Sequence, residues 1–246
     1  MKNNSPVRII INGAFGKMGR MAYETLTNDP RFNVIGKLGR DSNIAVFLQT
    51  HETDVILDLT QADCVFDNCN QYLIHSIPFV IGTSGLNPAQ INEIDSACLS
   101  KKLGAVIVPN FSIGSVLATH FAKVAAKWFD AVDITEMHHQ HKLDSPSGTA
   151  IHTAHAIHSV KSYWPNMNSE PQPGREHYVH DIPIHSIRMP GILAIQQTLF
   201  GQPGETLSIH HQIIDRQAYM PGLKLACQKV CELSHLQVGI ESWLLQ

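Results

Sequence analysis

Residues 136–150 bring together groups that can bind an anion and move a proton. The segment reads Glu-Met-His-His-Gln-His-Lys-Leu-Asp-Ser-Pro-Ser-Gly-Thr-Ala, with imidazoles at His138, His139 and His141 and an ammonium group at Lys142. Imidazole exchanges protons near neutral pH, and the lysine side chain attracts negative charge. We therefore interpret the segment as a site for an anion, most simply a carboxylate, beside groups capable of acid–base chemistry.

The elements on either side of this segment must position it. Val132 and Ile134 alternate with polar residues, which indicates a half-buried strand. Pro146 interrupts the alternation, and Ser147-Gly148-Thr149 can cap a helix that begins near Ala150. The free N–H groups and positive dipole end of such a helix favour an anion, so Ser147, Gly148 and Thr149 are predicted ligand contacts.

A metal site is a competing interpretation of the histidines. Adjacent strand residues point to opposite faces, so His138 and His139 cannot easily share one ion, whereas His139 and His141 can. No Asp, Glu or Cys is placed to complete the ligand shell, and we predict no metal site. The helix that follows carries a stripe of three more histidines, His152, His155 and His158. We interpret this stripe as a face exposed to solvent or to an interface.

Composition limits the classes of function. The 246 residues suffice for one large or two smaller domains, and a hydrophobic content of 43% supplies a core. The charged fraction of 16% is low, which indicates surface buried in subunit contacts. A net charge of −3 without a basic run argues against nucleic-acid binding.

Neither a membrane nor an oxidising compartment is indicated. No apolar stretch approaches the roughly 18–20 residues that span a bilayer. The five cysteines include no C-x-x-C pair, and Cys227 and Cys231 have the spacing of core thiols on one helix face. We predict a reduced, cytoplasmic enzyme.

Strand and helix patterns alternate through the first half of the chain, which predicts an α/β fold with a doubly wound parallel sheet. Predicted strands lie at Val7–Ile11, Phe32–Leu38, Asp54–Thr60, Phe79–Gly82 and Ala105–Val108, and helices at Lys17–Leu26, Cys64–His75 and Pro88–Lys102. The segment from Arg40 to Asp54 is predicted as a short loop. Ligands of such folds lie beyond the carboxyl ends of the strands, where we expect a nucleotide.

After Asn110 the pattern changes to that of a smaller α+β domain. We predict a helix at Ser115–Trp128, antiparallel strands at Leu193–Phe200 and Glu205–Gln212, and a helix at Leu223–Leu233. Ser159–Arg188 is predicted as a loop that acts as a lid, a subunit-contact arm or a plain surface excursion. The predicted division is residues 1–110 with 217–246 for the dinucleotide and 111–216 for substrate and oligomerisation.

The first predicted strand leads into a Gly-rich loop. Gly13, Gly16 and Gly19 give the pattern G-x-x-G-x-x-G. The three glycines can serve a tight turn, close approach of backbone to a pyrophosphate, and close helix–strand packing, in that order. This placement favours a dinucleotide site, with a ligand-free Gly-rich turn as the alternative.

The end of the second strand bears on the choice between NADH and NADPH. An NAD-selective site usually has an acidic residue there, but this chain has Gly39 and Arg40. A guanidinium group suits a 2′-phosphate, although Asp41 can turn back toward a ribose. We predict that NADPH is used at least as well as NADH.

Four motifs in this order resemble the 4-hydroxy-tetrahydrodipicolinate reductase family, long called dihydrodipicolinate reductase. They are the Gly-rich loop, Gly82-Thr-Ser-Gly85, Val108-Pro-Asn-Phe111 and the 136–150 segment. The pattern E-x-H-H-x-x-K-x-D-x-P-S-G-T-A is highly specific and complete, and the resemblance covers nearly the full length. It implies a Rossmann-type domain, a second domain with the substrate contacts and a tetramer interface, and reduction of a cyclic dicarboxylate by NADH or NADPH in the diaminopimelate and lysine pathway.

The resemblance also implies roles for individual residues. The cofactor contacts fall on Gly13, Ala14, Phe15, Gly16, Lys17, Met18, Arg40, Gly82, Thr83, Ser84, Val108, Pro109, Asn110 and Phe111. Substrate contacts fall on His139, Gly148 and Thr149, to which the helix-cap argument adds Ser147. The proton-donor histidine falls on His138 and the catalytic lysine on Lys142, and the residues alone do not decide which of the two gives the proton.

Two other functional classes compete with this interpretation. A semialdehyde or homoserine oxidoreductase is one, but no cysteine here lies at a strand end suited to a nucleophile. A non-catalytic nucleotide sensor is the other, and it would not need Lys142 beside His138 and His139. Arg216 is interpreted as an interdomain salt-bridge residue, with a carboxylate or the cofactor as alternative partners.

Overall fold

A computed structural model describes residues 5–165 and 177–245. The chain divides into two compact units. Unit 1 consists of the residues up to Phe111 together with those from Tyr219 onward, and unit 2 is Ser112–Ala218.

Unit 1 contains a six-stranded parallel sheet, whose strands are β1 (Val7–Asn12), β2 (Phe32–Leu38), β3 (Val55–Asp58), β4 (Phe79–Ile81), β5 (Ala105–Ile107) and β11 (Leu236–Val238). Their order in the sheet is β11-β5-β4-β3-β1-β2. The order reverses between β1 and β3, which is where ligands bind in doubly wound sheets.

Helices separate these strands along the chain, as right-handed parallel crossovers require. They are α1 (Lys17–Thr27), α2 (Ile44–Thr50), α3 (Val65–His75), α4 (Pro88–Lys101) and α7 (Met220–Lys229), and a last helix, α8 (Glu241–Leu244), follows β11. Local sequence fixes some of their ends. Asn87 and Gln90 form a reciprocal capping box at α4, with Pro88 at the first helical position.

The central strands of unit 1 are buried on both faces, which explains their continuous apolar sequences. Ile10, Ile56 and Phe79 pack in one core cluster with buried residues of α3 and α4. Strand alternation turns Ile9 and Ile11 to the other face, and both are fully buried.

Unit 2 has a mixed five-stranded sheet and two helices. The strands are β6 (Ala131–His138), β7 (Tyr178–Val179), β8 (Ile182–Arg188), β9 (Ala194–Gln202) and β10 (Glu205–Ile213), and the helices are α5 (Ile113–Ala126) and α6 (Gly148–His158). The strand order is β10-β9-β6-β8-β7, with β6 parallel to β8 and antiparallel to β9. Val132 and Ile134 of β6 pack with both helices in one core cluster. The other face of the sheet carries Leu199 and Ile187, which are 40% and 39% exposed.

The structure corrects three parts of the predicted organisation. The predicted loop Ser159–Arg188 contains β7 and β8, although its middle, residues 166–176, lies outside the described residues. Pro183 had suggested a loop, but it precedes the first β8 residue paired with β6, so its missing N–H interrupts no bond to that strand. The predicted loop Arg40–Asp54 contains α2, and β11 was not predicted.

Of the two cysteines predicted as core thiols on one helix face, only Cys227 is buried. All five cysteines are free, and Cys231 is exposed. The α-helix ends at Lys229 and the chain continues as the 3-10 turn Val230–Glu232, so the two thiols do not share one helix face. Within the described residues, no helix is long and apolar enough to cross a bilayer.

Candidate active site

The predicted cofactor contacts lie at the carboxyl ends of neighbouring parallel strands in unit 1. The Gly-rich loop follows β1, Arg40 follows β2, Gly82–Ser84 follows β4 and Val108–Phe111 follows β5. Because β5, β4, β3 and β1 are adjacent and parallel, their ends lie along the same edge of the sheet.

The backbone of the Gly-rich loop fits a dinucleotide. Gly13 has φ of 82°, and a Cβ there would lie 2.3 Å from the Leu59 carbonyl oxygen, so the turn requires glycine. A Cβ on Gly19 would lie 2.1 Å from the Gly13 oxygen, which explains the close packing of α1 on this turn. Gly16 is the N-cap of α1 and supplies no side-chain cap, which leaves first-turn N–H groups for an anion.

Phe15 covers the position at which an NAD-selective acidic residue is usually found. The ring lies against Gly39, where a Cβ would come within 2.6 Å of it. Arg40, the residue after Gly39, is exposed, and its Nη2 lies 3.5 Å from Gln61 Oε1. The end of β2 therefore offers an aromatic surface and a guanidinium group.

The predicted contacts after β4 and β5 lie against each other. A Cβ at Gly82 would meet the Phe111 ring at 2.6 Å, so glycine is needed for the close packing of the two loops. Val108 and Phe111 are buried, whereas Pro109 and Ser84 are exposed. The exposed residues offer their side chains to a ligand, and the buried ones hold the two loops in place.

Asp58 organises this edge of the sheet and was not predicted to have a role. Its fully buried carboxylate accepts hydrogen bonds from the hydroxyls of Thr60, Thr83 and Tyr72 at 2.6, 3.0 and 2.6 Å. Tyr72 in turn accepts a bond from Asn12 Nδ2 at 2.9 Å. Burial and the neighbouring Asp58 charge raise the pKa of Tyr72, so this hydroxyl stays a donor. The network ties the ends of β1, β3 and β4 together.

In unit 2, the predicted proton donor His138 lies at the end of β6 and is held by Glu136. Its Nδ1 lies 2.5 Å from Glu136 Oε2, and the two side chains are 16% and 0% exposed. Both residues lie on the strand face that carries Val132 and Ile134, because each is an even number of positions from them. His139 follows the last residue of the strand.

Arg188 completes this arrangement. It is the register partner of His138 on the parallel strand β8. Its Nη1 and Nη2 donate to the two oxygens of Glu136 at 3.0 and 2.7 Å, and Nη2 also donates to the Asp144 carbonyl at 2.7 Å. Burial raises the pKa of Glu136, but the hydrogen bonds from His138 and Arg188 outweigh it and lower the pKa to about 2.

The N-terminus of α6 forms the second part of the site. Ser147 is the N-cap and its Oγ accepts from Ala150 N at 3.2 Å, as the sequence predicted. The Ser147 N–H donates to Glu136 Oε1 at 3.2 Å, so the carboxylate that holds His138 also holds the helix start. A Cβ on Gly148 would meet nothing within 4 Å, which leaves open space beside the first turn.

Cationic and imidazole groups surround His139. Burial lowers its pKa, and the charges of Arg216, His138, His141 and Lys142 lower it further. Lys142 Nζ pairs with Asp144 Oδ1 at 2.7 Å, and this pair lowers the pKa of Asp144. The accumulation of positive groups near the start of α6 is suited to an anionic ligand.

The described histidines other than His138 form no metal site, and those on α6 contact another part of unit 2. The rings of His139 and His141 are 6.3 Å apart, and no group of three or more potential ligands in residues 5–165 and 177–245 could hold a metal ion. In the stripe on α6, His155 Nδ1 lies 2.7 Å from His180 Nε2, and the His158 ring stacks on His180 at 3.9 Å. The stripe therefore contacts the turn between β7 and β8.

Sequence reasoning missed Glu136, Arg188 and Asp58 as functional candidates. Glu136 and Asp58 did carry a signal, since each is a carboxylate within an otherwise apolar strand face. Arg188 carried none, because it lies 52 residues from Glu136 and meets it only through the β6–β8 register.

Comparison with known proteins gives matches along nearly the whole chain. Residues 7–111 match the family model for the N-terminus of dihydrodipicolinate reductase, and residues 114–244 match the model for its C-terminus.

Individual relatives agree with these matches. The 4-hydroxy-tetrahydrodipicolinate reductase of Legionella pneumophila (strain Paris) is 48% identical over 240 residues, which are 96% of this chain and 99% of the relative. That of Coxiella burnetii (strain Dugway 5J108-111) is 43% identical over 240 residues, 97% of this chain and 99% of the relative. The dipicolinate-bound dihydrodipicolinate reductase from Paenisporosarcina sp. TG-14 has a TM-score of 0.86 and 35% identity, covering 96% of this chain and 99% of that one.

Proposed function

Because the chain belongs to the dihydrodipicolinate reductase family, we propose that it reduces 4-hydroxy-tetrahydrodipicolinate, or its dehydrated form, to tetrahydrodipicolinate with NADPH or NADH. The reaction is a step of diaminopimelate and lysine biosynthesis. The observation that carries the site assignment is the set of cationic and imidazole groups around His139, beside the open helix start at Gly148. A cyclic dicarboxylate needs such a site for its carboxylates.

The nicotinamide cofactor would be held by the strand ends of unit 1. Residues 13–18 would bind the pyrophosphate, Arg40 the adenosine side, and Gly82–Ser84 with Val108–Phe111 the nicotinamide side. The cofactor supplies a hydride when bound. NADPH is used at least as well as NADH, because Gly39 provides no carboxylate for a ribose 2′-hydroxyl and Arg40 can pair with a 2′-phosphate. A ratio of specificity constants that strongly favours NADH would contradict this.

The substrate carboxylates and ring are assigned to unit 2. One carboxylate lies at the start of α6, beside Gly148 and Thr149, where Ser147 caps the helix and the positive end of the helix dipole favours an anion. Lys142 and His139 face the same anion or the ring nitrogen. The proton that completes the reduction comes from His138 or Lys142, both of which belong to the same short segment.

Single substitutions test the two candidate donors. His138→Ala and Lys142→Ala should each lower turnover by roughly 10²–10⁴-fold, the range typical of a lost acid–base group. Fluorescence titration of the cofactor should give nearly unchanged dissociation constants, since neither residue belongs to unit 1. Full turnover in either variant would remove that residue from the mechanism.

The reaction itself is tested by the loss of NADPH absorbance. Substrate is generated in situ from aspartate semialdehyde and pyruvate with the synthase that condenses them. Oxidation should require both precursors, and omission of either one is the control. No oxidation of NADPH or NADH under these conditions would exclude the proposed function.

A homotetramer is the proposed assembly. The low charged fraction of the chain and the partly apolar open face of the unit 2 sheet, at Leu199 and Ile187, support burial between copies. Light scattering should give a mass near four times 27.3 kDa, and a monomeric mass would contradict the proposal. We also propose a cytoplasmic location, supported by the five free cysteines.

A further inference from the structure

We propose that Glu136 and Arg188 are positioning residues that orient His138 so that Nε2 is the ring atom that meets the substrate. The inference rests on the proposed function, in which His138 is a candidate proton donor. It adds two residues to the site and assigns the proton to one atom of the ring.

The hydrogen bonds of Glu136 determine which ring nitrogen of His138 keeps its hydrogen throughout the reaction. The buried carboxylate accepts from Arg188 Nη1 and Nη2, from the Ser147 N–H and from His138 Nδ1. With a pKa of about 2, Glu136 is ionised at neutral pH and can only accept. Nδ1 must therefore carry a hydrogen, and Nε2 remains for the substrate.

This assignment defines the proton transfer. The Nε2–H bond of the protonated ring breaks, and its electron pair stays on Nε2. The proton forms a new bond at the substrate centre that has become electron-rich on receiving the hydride. The ring is left neutral with hydrogen on Nδ1, still bonded to Glu136. An aspartate that holds the histidine of serine proteases acts on the same principle.

Arg188 links the position of His138 to that of Lys142. Its guanidinium group holds both oxygens of Glu136, and Nη2 also binds the backbone oxygen of Asp144, the residue whose side chain pairs with Lys142. One bidentate pair thus anchors His138, the start of α6 and the Lys142 segment. Removing Arg188 alone would leave the buried Glu136 carboxylate without its main charge partner.

Two variants separate the positioning role from a loss of folding. Glu136→Gln keeps the size of the side chain but replaces the acceptor with an amide, which can accept from or donate to His138. The single variant leaves Arg188 without a counter-charge, and such changes often destabilise a protein. The double variant E136Q/R188M removes both charges, which is better tolerated than an unpaired buried charge. Asp133→Asn is the matched control, because Asp133 pairs with His185 at 3.0 Å from the opposite face of β6.

The first measurement is the tautomer of His138 in protein labelled with 15N-histidine, free of ligands. Signals are assigned by their loss in His138→Asn. At a pH where the ring is neutral, wild-type protein and Asp133→Asn should carry the hydrogen on Nδ1, and the double variant should show a mixture or hydrogen on Nε2. An unchanged tautomer in the double variant would overturn the proposal.

The second measurement is steady-state kinetics of the same proteins. By analogy with loss of the orienting aspartate in a catalytic triad, kcat of the double variant should fall by about 10²–10⁴-fold while cofactor affinity is retained. A changed tautomer with wild-type kcat would overturn the positioning role. The two proposals fail in different ways: inactivity of the wild-type protein excludes the proposed function, whereas the tautomer experiment needs no activity.

Discussion

Replacing Gly39 with aspartate should shift cofactor preference from NADPH toward NADH. Position 39 follows β2 directly, where a carboxylate can accept hydrogen bonds from the ribose hydroxyls of NADH and repel the 2′-phosphate of NADPH. The new Cβ would lie 2.6 Å from the Phe15 ring, so the ring must move. Because Phe15 is 57% exposed, it can turn toward solvent without opening a cavity in the core.

The size of the shift follows from the bond that is gained. A hydrogen bond to a charged group contributes about 1.5–3 kcal/mol, which corresponds to about 10- to 150-fold in kcat/KM for NADH. Repulsion of the 2′-phosphate lowers kcat/KM for NADPH at the same time. The ratio of the two specificity constants should therefore change by about 10²-fold or more in favour of NADH.

Matched variants isolate the charge from the contact with Phe15. Gly39→Asn has nearly the same volume as the aspartate without its charge, and Gly39→Ala displaces the ring with no polar group. Initial rates of absorbance loss are measured for both cofactors at saturating substrate. If the Asp and Asn variants change the ratio equally, or if the ratio moves toward NADPH, the assignment of position 39 to the adenosine ribose is wrong.

Two further predictions concern stability. Tyr72→Phe removes a buried hydrogen-bond donor to Asp58 and should lower the free energy of unfolding by about 1.5–3 kcal/mol in urea titrations. The control Tyr23→Phe changes a half-buried ring and should lower the free energy of unfolding by less than about 0.5 kcal/mol. Equal losses in the two variants would refute this role of Tyr72. Burial and the neighbouring His180 lower the pKa of His155, so the unfolded chain binds more protons below about pH 6.5 and stability should fall on acidification. The drop in melting temperature between about pH 7.5 and about pH 5.5 should be smaller in His180→Asn than in the wild-type protein. An equal or larger drop in the variant would contradict the coupling between His155 and His180.

Much of unit 1 could be predicted from the sequence, and the predicted family and fold class are confirmed. Central strands such as β1 and β3 have continuous apolar runs because both faces of a parallel sheet are buried, and that pattern is local. The cap at Ser147 could also be predicted, since capping depends on residues within one helical turn.

The parts that were missed depend on long-range contacts. β8 was not predicted because it contains Pro183. A strand accepts proline where the missing N–H interrupts no pairing bond, and that depends on where the pairing of β6 with β8 begins. Arg188 reaches Glu136 only through that pairing, so no local spacing identifies it. β11 is three residues long, and its place in the sheet comes from pairing with β5. The substrate and cofactor roles of individual site residues remain predictions.

The return of the chain to unit 1 has a consequence for synthesis. β5 pairs with β4 on one side and with β11 on the other, and all of unit 2 lies between β5 and β11 in the sequence. While a ribosome makes Ser112–Ala218, the free side of β5 is an apolar strand edge, which is prone to pair with other chains. Unit 2 is continuous and can close its own sheet during that interval. The two units are therefore completed in the reverse of the order in which they begin.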